Sequence, residues 1–300
     1  MSLSRVIDVA VADLRSSLRS RRAIVMILLF AAVSALVAYA LVSAFSAIER
    51  EVVTALGLPP ADNPCAVTAT LWKSKPFMRF ANGFAGGNLV FADIIGRHPL
   101  VLAYAFFMFS TVALLTLLVS APKIADEVRS GAARYWLVRA TRDEWSLGKF
   151  LGETVLVAVS LSVGSIAAWG VVAFRLPGST GAVLLPDFVD WTARAAVYAF
   201  AWLGLFTGIS HVARSGGKAV AFSILAVIAM AALPMALDNL AEVHPLLSFV
   251  NGLDVLAPRS AMSLMWRRAP AAFLRGFVHL SAIAFLYTGI GAAIFRRRDV

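Results

Sequence analysis

The chain has 300 residues, 60% of them apolar and 15% charged, with a formal net charge of +10. Soluble globular proteins hold roughly 45–50% apolar and about 25% charged residues, so this composition excludes an ordinary soluble domain and, equally, a disordered chain. One cysteine, Cys65, excludes an intrachain disulfide framework and a cysteine-based metal cluster. A basic chain could bind nucleic acid, but here Arg and Lys fall between long apolar runs, where they read as topology signals; no nucleic-acid partner is expected.

In chain order, residues 3–18 come first with a helical period. Leu3, Val6, Ile7, Ala10, Val11, Leu14 and Leu18 share one stripe, with Arg5, Asp8, Arg15 and Arg19 elsewhere. This pattern predicts an amphipathic helix over 1–20 lying flat at the membrane interface, with docking on the protein's own loops as the alternative. Six stretches without Asp, Glu, Lys or Arg then follow: 23–48, 98–122, 154–174, 195–213, 219–237 and 276–295. A helix rises about 1.5 Å per residue, so about 20 residues cross the hydrocarbon core, and each run is predicted to be a transmembrane helix. The fourth and fifth are joined only by Arg214–Lys218, which leaves a re-entrant hairpin as an alternative there. Ala38-Tyr39-Ala40 resembles a signal cleavage site, but 22 residues precede the first run and it continues apolar to Ile48, so an uncleaved helix is expected.

The loops differ in character. The predicted outer loop 49–97 carries Pro59-Pro60, Pro64, Cys65 and a glycine cluster at Gly83, Gly86 and Gly87, which predicts turns and a short helix. Segment 123–153 mixes Arg129, Arg134, Arg139 and Arg142 with Tyr135, Trp136, Leu137 and Trp145. A short helix showing both apolar and charged groups suits a docking surface for another protein, or an interfacial helix anchored by its aromatics. Loop 238–275 is broken by Pro245, Pro258 and Pro270 yet rich in Leu, Phe, Val and Met, which predicts short helices dipping into the outer leaflet or capping the bundle. Trp169 and Trp191 fall where an outer aromatic belt is expected, with Trp136 and Trp145 at the inner one. Gly204 and Gly208 form a small-xxx-small pattern.

With a cytoplasmic N-terminus, the inner segments hold 16 basic residues in 63, against 11 in 107 on the outer side. That asymmetry places both termini inside. No phosphate-binding Gly-x4-Gly-Lys-Ser/Thr loop, His-Glu-x-x-His or Gly-x-Ser-x-Gly motif is present, so no catalytic residue, metal site or cofactor is expected. The charge-free runs hold no ionisable group beyond His98, His211 and His279, which argues against ion coupling. Their polar content is hydroxyl, most of it expected to bond its own helix backbone.

Ile124, Glu127, Gly131, Leu137, Gly148 and Lys149 carry a resemblance. Their spacing is similar to the stretch that follows the second span of ABC-2-type transporter permeases: Ile-x-x-Glu-x-x-x-Gly-Thr-Leu-Glu, a Leu-rich turn, Pro and Gly-Lys. Ala132, Arg134 and Ala140 depart from that pattern, standing where it has Thr, Glu and Pro. The resemblance implies an all-α polytopic membrane protein with an N-terminal elbow helix, six spans, a cytoplasmic coupling helix and short outer re-entrant helices in 240–270. It further implies a second permease subunit, homo- or heterodimeric, and a separate cytoplasmic ATP-binding subunit that hydrolyses ATP. In that reading Glu127, Gly131, Arg134, Trp136, Leu137 and Arg139 dock the ATPase. The expected setting is the inner membrane, with export of a lipid, hydrophobic small molecule or peptide. The rival expectations are an ATP-independent carrier or channel and a membrane assembly or maturation factor.

Overall fold

The computed structural model describes residues 1–56, 75, 78–79, 93–94, 97–176, 180–243, 252 and 254–298. Cys65 and most of the 49–97 loop lie outside the described residues. The elements are α1 (Leu3–Arg19), α2 (Arg22–Leu56), α3 (Pro99–Ser120), α4 (Lys123–Arg129), α5 (Ala132–Leu137), α6 (Arg142–Arg175), α7 (Thr180–Val212), α8 (Gly216–Val243), a 3₁₀ turn (Pro258–Ala261), α9 (Met262–Trp266) and α10 (Pro270–Arg296). No strand occurs among the described residues, and the fold is all-α and polytopic. Five stretches are long and apolar enough to cross a membrane: Ala23–Ile48, Pro99–Arg129, Arg142–Arg175, Gly181–Val212 and Pro270–Arg296. The predicted fifth run, 219–237, falls on α8, whose described apolar part, Gly216–Ala232, is shorter than a full span.

The helices outrun the charge-free stretches that predicted them. α6 begins twelve residues before its run and takes in Lys149 and Glu153, and α7 takes in Asp187, Asp190 and Arg194. The expectation that the spanning helices lack ionisable groups is therefore corrected. A stretch defined by having no charge cannot report the charged turns that continue it at either end.

Packing follows the helix period. On α2 the buried positions Ala23, Phe30, Ala31, Ser34, Ala38 and Val42 form one stripe, which packs on α6. At the crossing Gly164 leaves room for the Phe30 ring; a Cβ there would sit 2.6 Å from it. α7 is the central helix, packed against α10, α3 and α6. Its Gly204 and Gly208 let α10 come close, since a Cβ at Gly204 would meet the Ala284 backbone and one at Gly208 would lie 2.5 Å from the Tyr287 carbonyl. The small-xxx-small pattern is thus a true contact surface, completed from the other side by Gly291.

The hydroxyls of Thr111, Thr116, Ser120, Ser160 and Ser162 donate to carbonyls four residues earlier at 2.8–2.9 Å, as expected of hydroxyls inside lipid. Part of the broken loop before α10 runs back along that helix. Tyr287 Oη donates to the Leu256 carbonyl at 2.9 Å, Ser260 Oγ and His279 Nε2 lie 3.2 Å apart, and a Cβ at Gly276 would strike Met265. Residues 256–265 therefore lie antiparallel to α10 with their irregular backbone bonded to it. Away from water, such backbone is tolerated only against protein.

The end of the bundle predicted to face outward is closed by a second set of contacts. Arg97 bridges Asp187 at 2.5 Å and Asp190 at 3.3 Å, and Arg194 pairs with Asp190 at 2.8 Å while donating to the carbonyls of Met265 and Arg267. Trp191 lies between the two guanidiniums, 5.3 and 5.5 Å from its ring, and packs on Trp266. Trp191 is buried, as is Trp145 at the opposite end, so neither anchors in a headgroup belt, and cations lie over both rings.

Two substitutions on α10 test the α7–α10 contact. Gly291→Leu is expected to cost about 1–3 kcal/mol through overpacking, read as a lower midpoint of thermal unfolding in detergent. Gly289→Leu, two residues away and with open space around it, is expected to leave that midpoint unchanged.

Candidate functional site

Local sequence explains the shape of residues 121–153. α3 stops at Ser120 because Pro122 has no N–H to continue its ladder. α4 is closed by Ser130, and Gly131 takes φ +77°, a left-handed conformation that side chains other than glycine adopt at a cost. The chain then makes α5. The predicted single coupling helix is therefore two short helices joined at Gly131. α6 starts with a capping box, in which Thr141 accepts from the Glu144 N–H and Glu144 accepts from the Thr141 N–H.

Beneath this double turn lies a cluster of buried charge. The Lys149 ammonium on α6 donates to Asp13 of α1 at 2.6 Å and to Glu127 of α4 at 2.5 Å. The other oxygen of Asp13 pairs with Lys123, which also donates to Ser17 at 2.9 Å. The side chains of Asp13 and Lys149 are 1% and 4% exposed. One helix turn further on, Glu153 is fully buried, and its Oε2 accepts from Thr207 of α7 at 3.2 Å. α1 can reach this depth because Gly148 and Gly152 make a groove for it. A Cβ at Gly148 would lie 2.6 Å from Val9, and one at Gly152 would lie 2.9 Å from Asp13.

α1 consequently has two functional faces. Val6, Val9 and Asp13 face the protein, whereas Leu3, Ile7, Val11 and Leu18 of the predicted stripe are exposed. The helix docks on α6 rather than on loops, and it leaves an apolar face outward.

The same end gathers the other segments predicted to lie inside. Arg142 donates from Nη1 to the carbonyls of Phe295, Arg296 and Arg298, satisfying the end of α10, and Arg296 pairs with Asp143 at 2.6 Å. Arg298 donates to the carbonyls of His211 and Ala213, and Ser2 N–H donates to Glu144 at 2.6 Å. Below these contacts Trp145, Phe295 and His211 pack edge and face, with His211 Nε2 2.7 Å from Ser146 Oγ. Ser210 accepts from the Ala125 N–H, and Asp126 accepts from the Gly216 N–H, which ties α4 to the α7–α8 turn.

The six sequence-predicted site residues separate into three groups. Glu127 points inward to Lys149, and Gly131 makes the turn. Trp136 and Leu137 are half-buried against Val9, Ile124 and Trp145. Arg134 and Arg139 are exposed. Two large side chains absent from the predicted set share their surface: Tyr135 is 82% exposed and Val138 is 85% exposed. The helical period could have found them, because with Ala133, Trp136 and Ala140 inside, positions 134, 135, 138 and 139 fall on the opposite face.

These features define a multi-pass membrane protein with a folded double turn held at one end of its bundle by buried ion pairs. A sequence profile described as ABC-2 family transporter protein matches residues 7–300, almost the whole length. The chain belongs to that family, and is a membrane-embedded permease component of an ABC transporter. Comparison with individually curated proteins finds no match.

Lys149→Met removes the cation shared by Asp13 and Glu127, leaving buried Asp13 with Lys123 alone and Glu127 without its partner. A loss of about 3 kcal/mol is expected, since breaking a buried pair from one side costs roughly 3–5 kcal/mol. Thermal unfolding of the purified protein checks it, and Asp13→Asn combined with Lys149→Met should recover part of the loss.

Proposed function

We propose that this chain is the permease subunit of an ATP-driven exporter, and that the tip of the α4–α5 double turn docks into a separate cytoplasmic ATP-binding subunit. The observation that carries the proposal is the exposed Arg134, Tyr135, Val138 and Arg139 surface on a segment anchored from beneath. Aromatic and arginine side chains are the groups that concentrate binding energy at protein interfaces. Tyr135 and Val138 gain from burial in a partner, and the two guanidiniums fit an acidic rim.

The anchoring supplies the mechanical part. A push on α4 and α5 reaches α6 through Glu127–Lys149, α1 through Asp13, and α7 through the Ala125–Ser210 bond. ATP-driven closure of the ATPase pair then moves the bundles of two permease subunits against each other. The docking contact must differ in energy between the two states for this to transmit work. Glu127, Gly131, Trp136 and Leu137 shape and hold the docking surface, and Arg134 and Arg139 touch the partner together with Tyr135 and Val138. The concentration of basic residues at the end shared by α1, α4, α5 and the C-terminal turn supports a cytoplasmic location for that end, with the protein in the inner membrane.

An apolar cargo is the reading that the walls of the bundle support. A groove of about 300 Å³ between α6 and α7 is lined by Ile166, Trp169, Leu185 and Val189, with Ser162 and Thr192 as its polar points. Such a lining suits a lipid, a hydrophobic small molecule or a peptide rather than an ion.

Tyr135→Ala combined with Val138→Asp is expected to weaken association with the ATP-binding subunit at least tenfold, about 1.4 kcal/mol, without shifting the unfolding midpoint of the permease alone. Copurification at graded ATPase concentration reads it, and unchanged binding would refute the docking surface. In a Cys65→Ser background, a cysteine at position 135 should react with a membrane-impermeant maleimide in inverted vesicles and not in intact cells.

A further inference from the structure

A cavity of about 480 Å³ opens where α1 meets α2 and α3 meets α4. Both junctions lie at the end of the bundle that carries the double turn. Its walls are divided by polarity. Ala23 and Met26 of α2, Leu118 of α3 and Leu156 of α6 line one part. Ser16 of α1, Ser20 just past its end, and Lys123 and Asp126 of α4 line the other. The apolar residues lie on the parts of their helices that run into the bilayer, and the polar ones lie at the boundary where the spans end.

We infer that this cavity binds an aminophospholipid, with the headgroup on the α1–α4 wall and the start of the acyl chains against α2, α3 and α6. A water-soluble solute would leave the apolar wall uncovered, and an acyl chain alone would lay hydrocarbon on the polar wall. A molecule that changes from apolar to polar along its length satisfies both walls, and at this depth that molecule is a lipid.

The charges choose the headgroup. An ammonium has three donors. Lys123 gives its donors to Asp13 and Ser17, which leaves one for a phosphate oxygen, and the Ser16 hydroxyl lies on the same wall, while the Ser20 hydroxyl donates to the Ser17 carbonyl at 2.9 Å. One helical turn along α4, Asp126 presents a carboxylate that is 43% exposed and accepts from the Gly216 N–H and faces Arg129 at 3.5 Å. Its remaining acceptor positions suit the ammonium of the same headgroup. Glu127 also lines the cavity but is bonded to Lys149, so Asp126 is the carboxylate turned toward the ligand, where it offers a place to an ammonium and disfavours a headgroup with net negative charge. A zwitterion with a primary amine fits where an anionic phosphatidylglycerol does not. A lipid held there would wedge the joint between the elbow helix α1 and the first span.

The test uses the full-length protein in detergent, titrated with phosphatidylethanolamine, phosphatidylglycerol or soluble glycerophosphoethanolamine, with bound lipid counted by native mass spectrometry. Wild type should retain phosphatidylethanolamine at least tenfold more tightly than phosphatidylglycerol. Ser16→Trp, which fills the mouth of the cavity from an exposed position, should lower phosphatidylethanolamine binding at least tenfold with an unaltered unfolding midpoint in lipid-free detergent. Asp126→Asn keeps the hydrogen bond from Gly216 and should bring the two lipids to about equal affinity. Equal binding of both lipids by wild type, or unchanged binding by Ser16→Trp, would overturn the inference. Displacement by glycerophosphoethanolamine at the same concentration as the lipid would assign the site to a soluble phosphoamine and overturn the lipid assignment.

Discussion

The ammonium of Lys149 holds three separate parts of the chain in one place. It sits on a spanning helix, it bonds Asp13 from the N-terminal helix, and it bonds Glu127 from the segment that follows the second span. Without that cation, Glu127 would lose its partner on α6 and Asp13 would keep only Lys123, so the tie from α6 to both α1 and α4 would be lost. The geometry around it follows from this requirement. Gly148 and Gly152 clear a path for α1 on either side of Lys149, and Lys123 supplies a second cation to Asp13. The exposed tip at Tyr135 and Val138 is a consequence too, because a double turn pinned from below has one face left to present.

Such a cluster is an expensive way to hold helices together if stability alone is at issue. Apolar side chains of similar volume often do as well or better than buried ion pairs. Charges differ from apolar contacts in being directional and in tolerating only a few arrangements. A joint made of them moves as a unit or breaks, which suits a part that must pass displacement from a partner below to helices above. Apolar packing serves elsewhere in the bundle, where α7 and α10 meet backbone to backbone through Gly204, Gly208 and Gly291.

Much of this was legible in the sequence. Apolar run length located five of the six predicted spans, and the Arg and Lys distribution predicted which segments would share an end. In the structure α1 is bonded to α4 through Asp13 and Lys123, and the C-terminal arginines are bonded to the start of α6 and the end of α7. Other features were hidden for physical reasons. Counting charge-free residues ends a span at its first charged side chain, so the turns of α6 that carry Lys149 and Glu153 were assigned to a loop. Charge also misled at Glu127, where a carboxylate in a polar segment reads as surface until its partner twenty-two residues later is placed beside it. Trp145 and Trp191 fit a headgroup belt by position, but which face of an indole a cation covers is a tertiary fact. The Thr141-x-x-Glu144 pattern, by contrast, was present in the sequence and marks the start of α6 a full three turns before its apolar run.

The central claim is that α1 and the docking turn form one block that an ATPase moves as a unit. The most direct measurement is a spin-label distance between positions 7 and 138, both exposed, in the cysteine-free permease assembled with its ATP-binding subunit. The account predicts the same single distance with and without trapped nucleotide, while a label pair from position 138 to position 183 near the start of α7 shifts. A change in the 7–138 distance upon trapping, with the 138–183 distance constant, would contradict it.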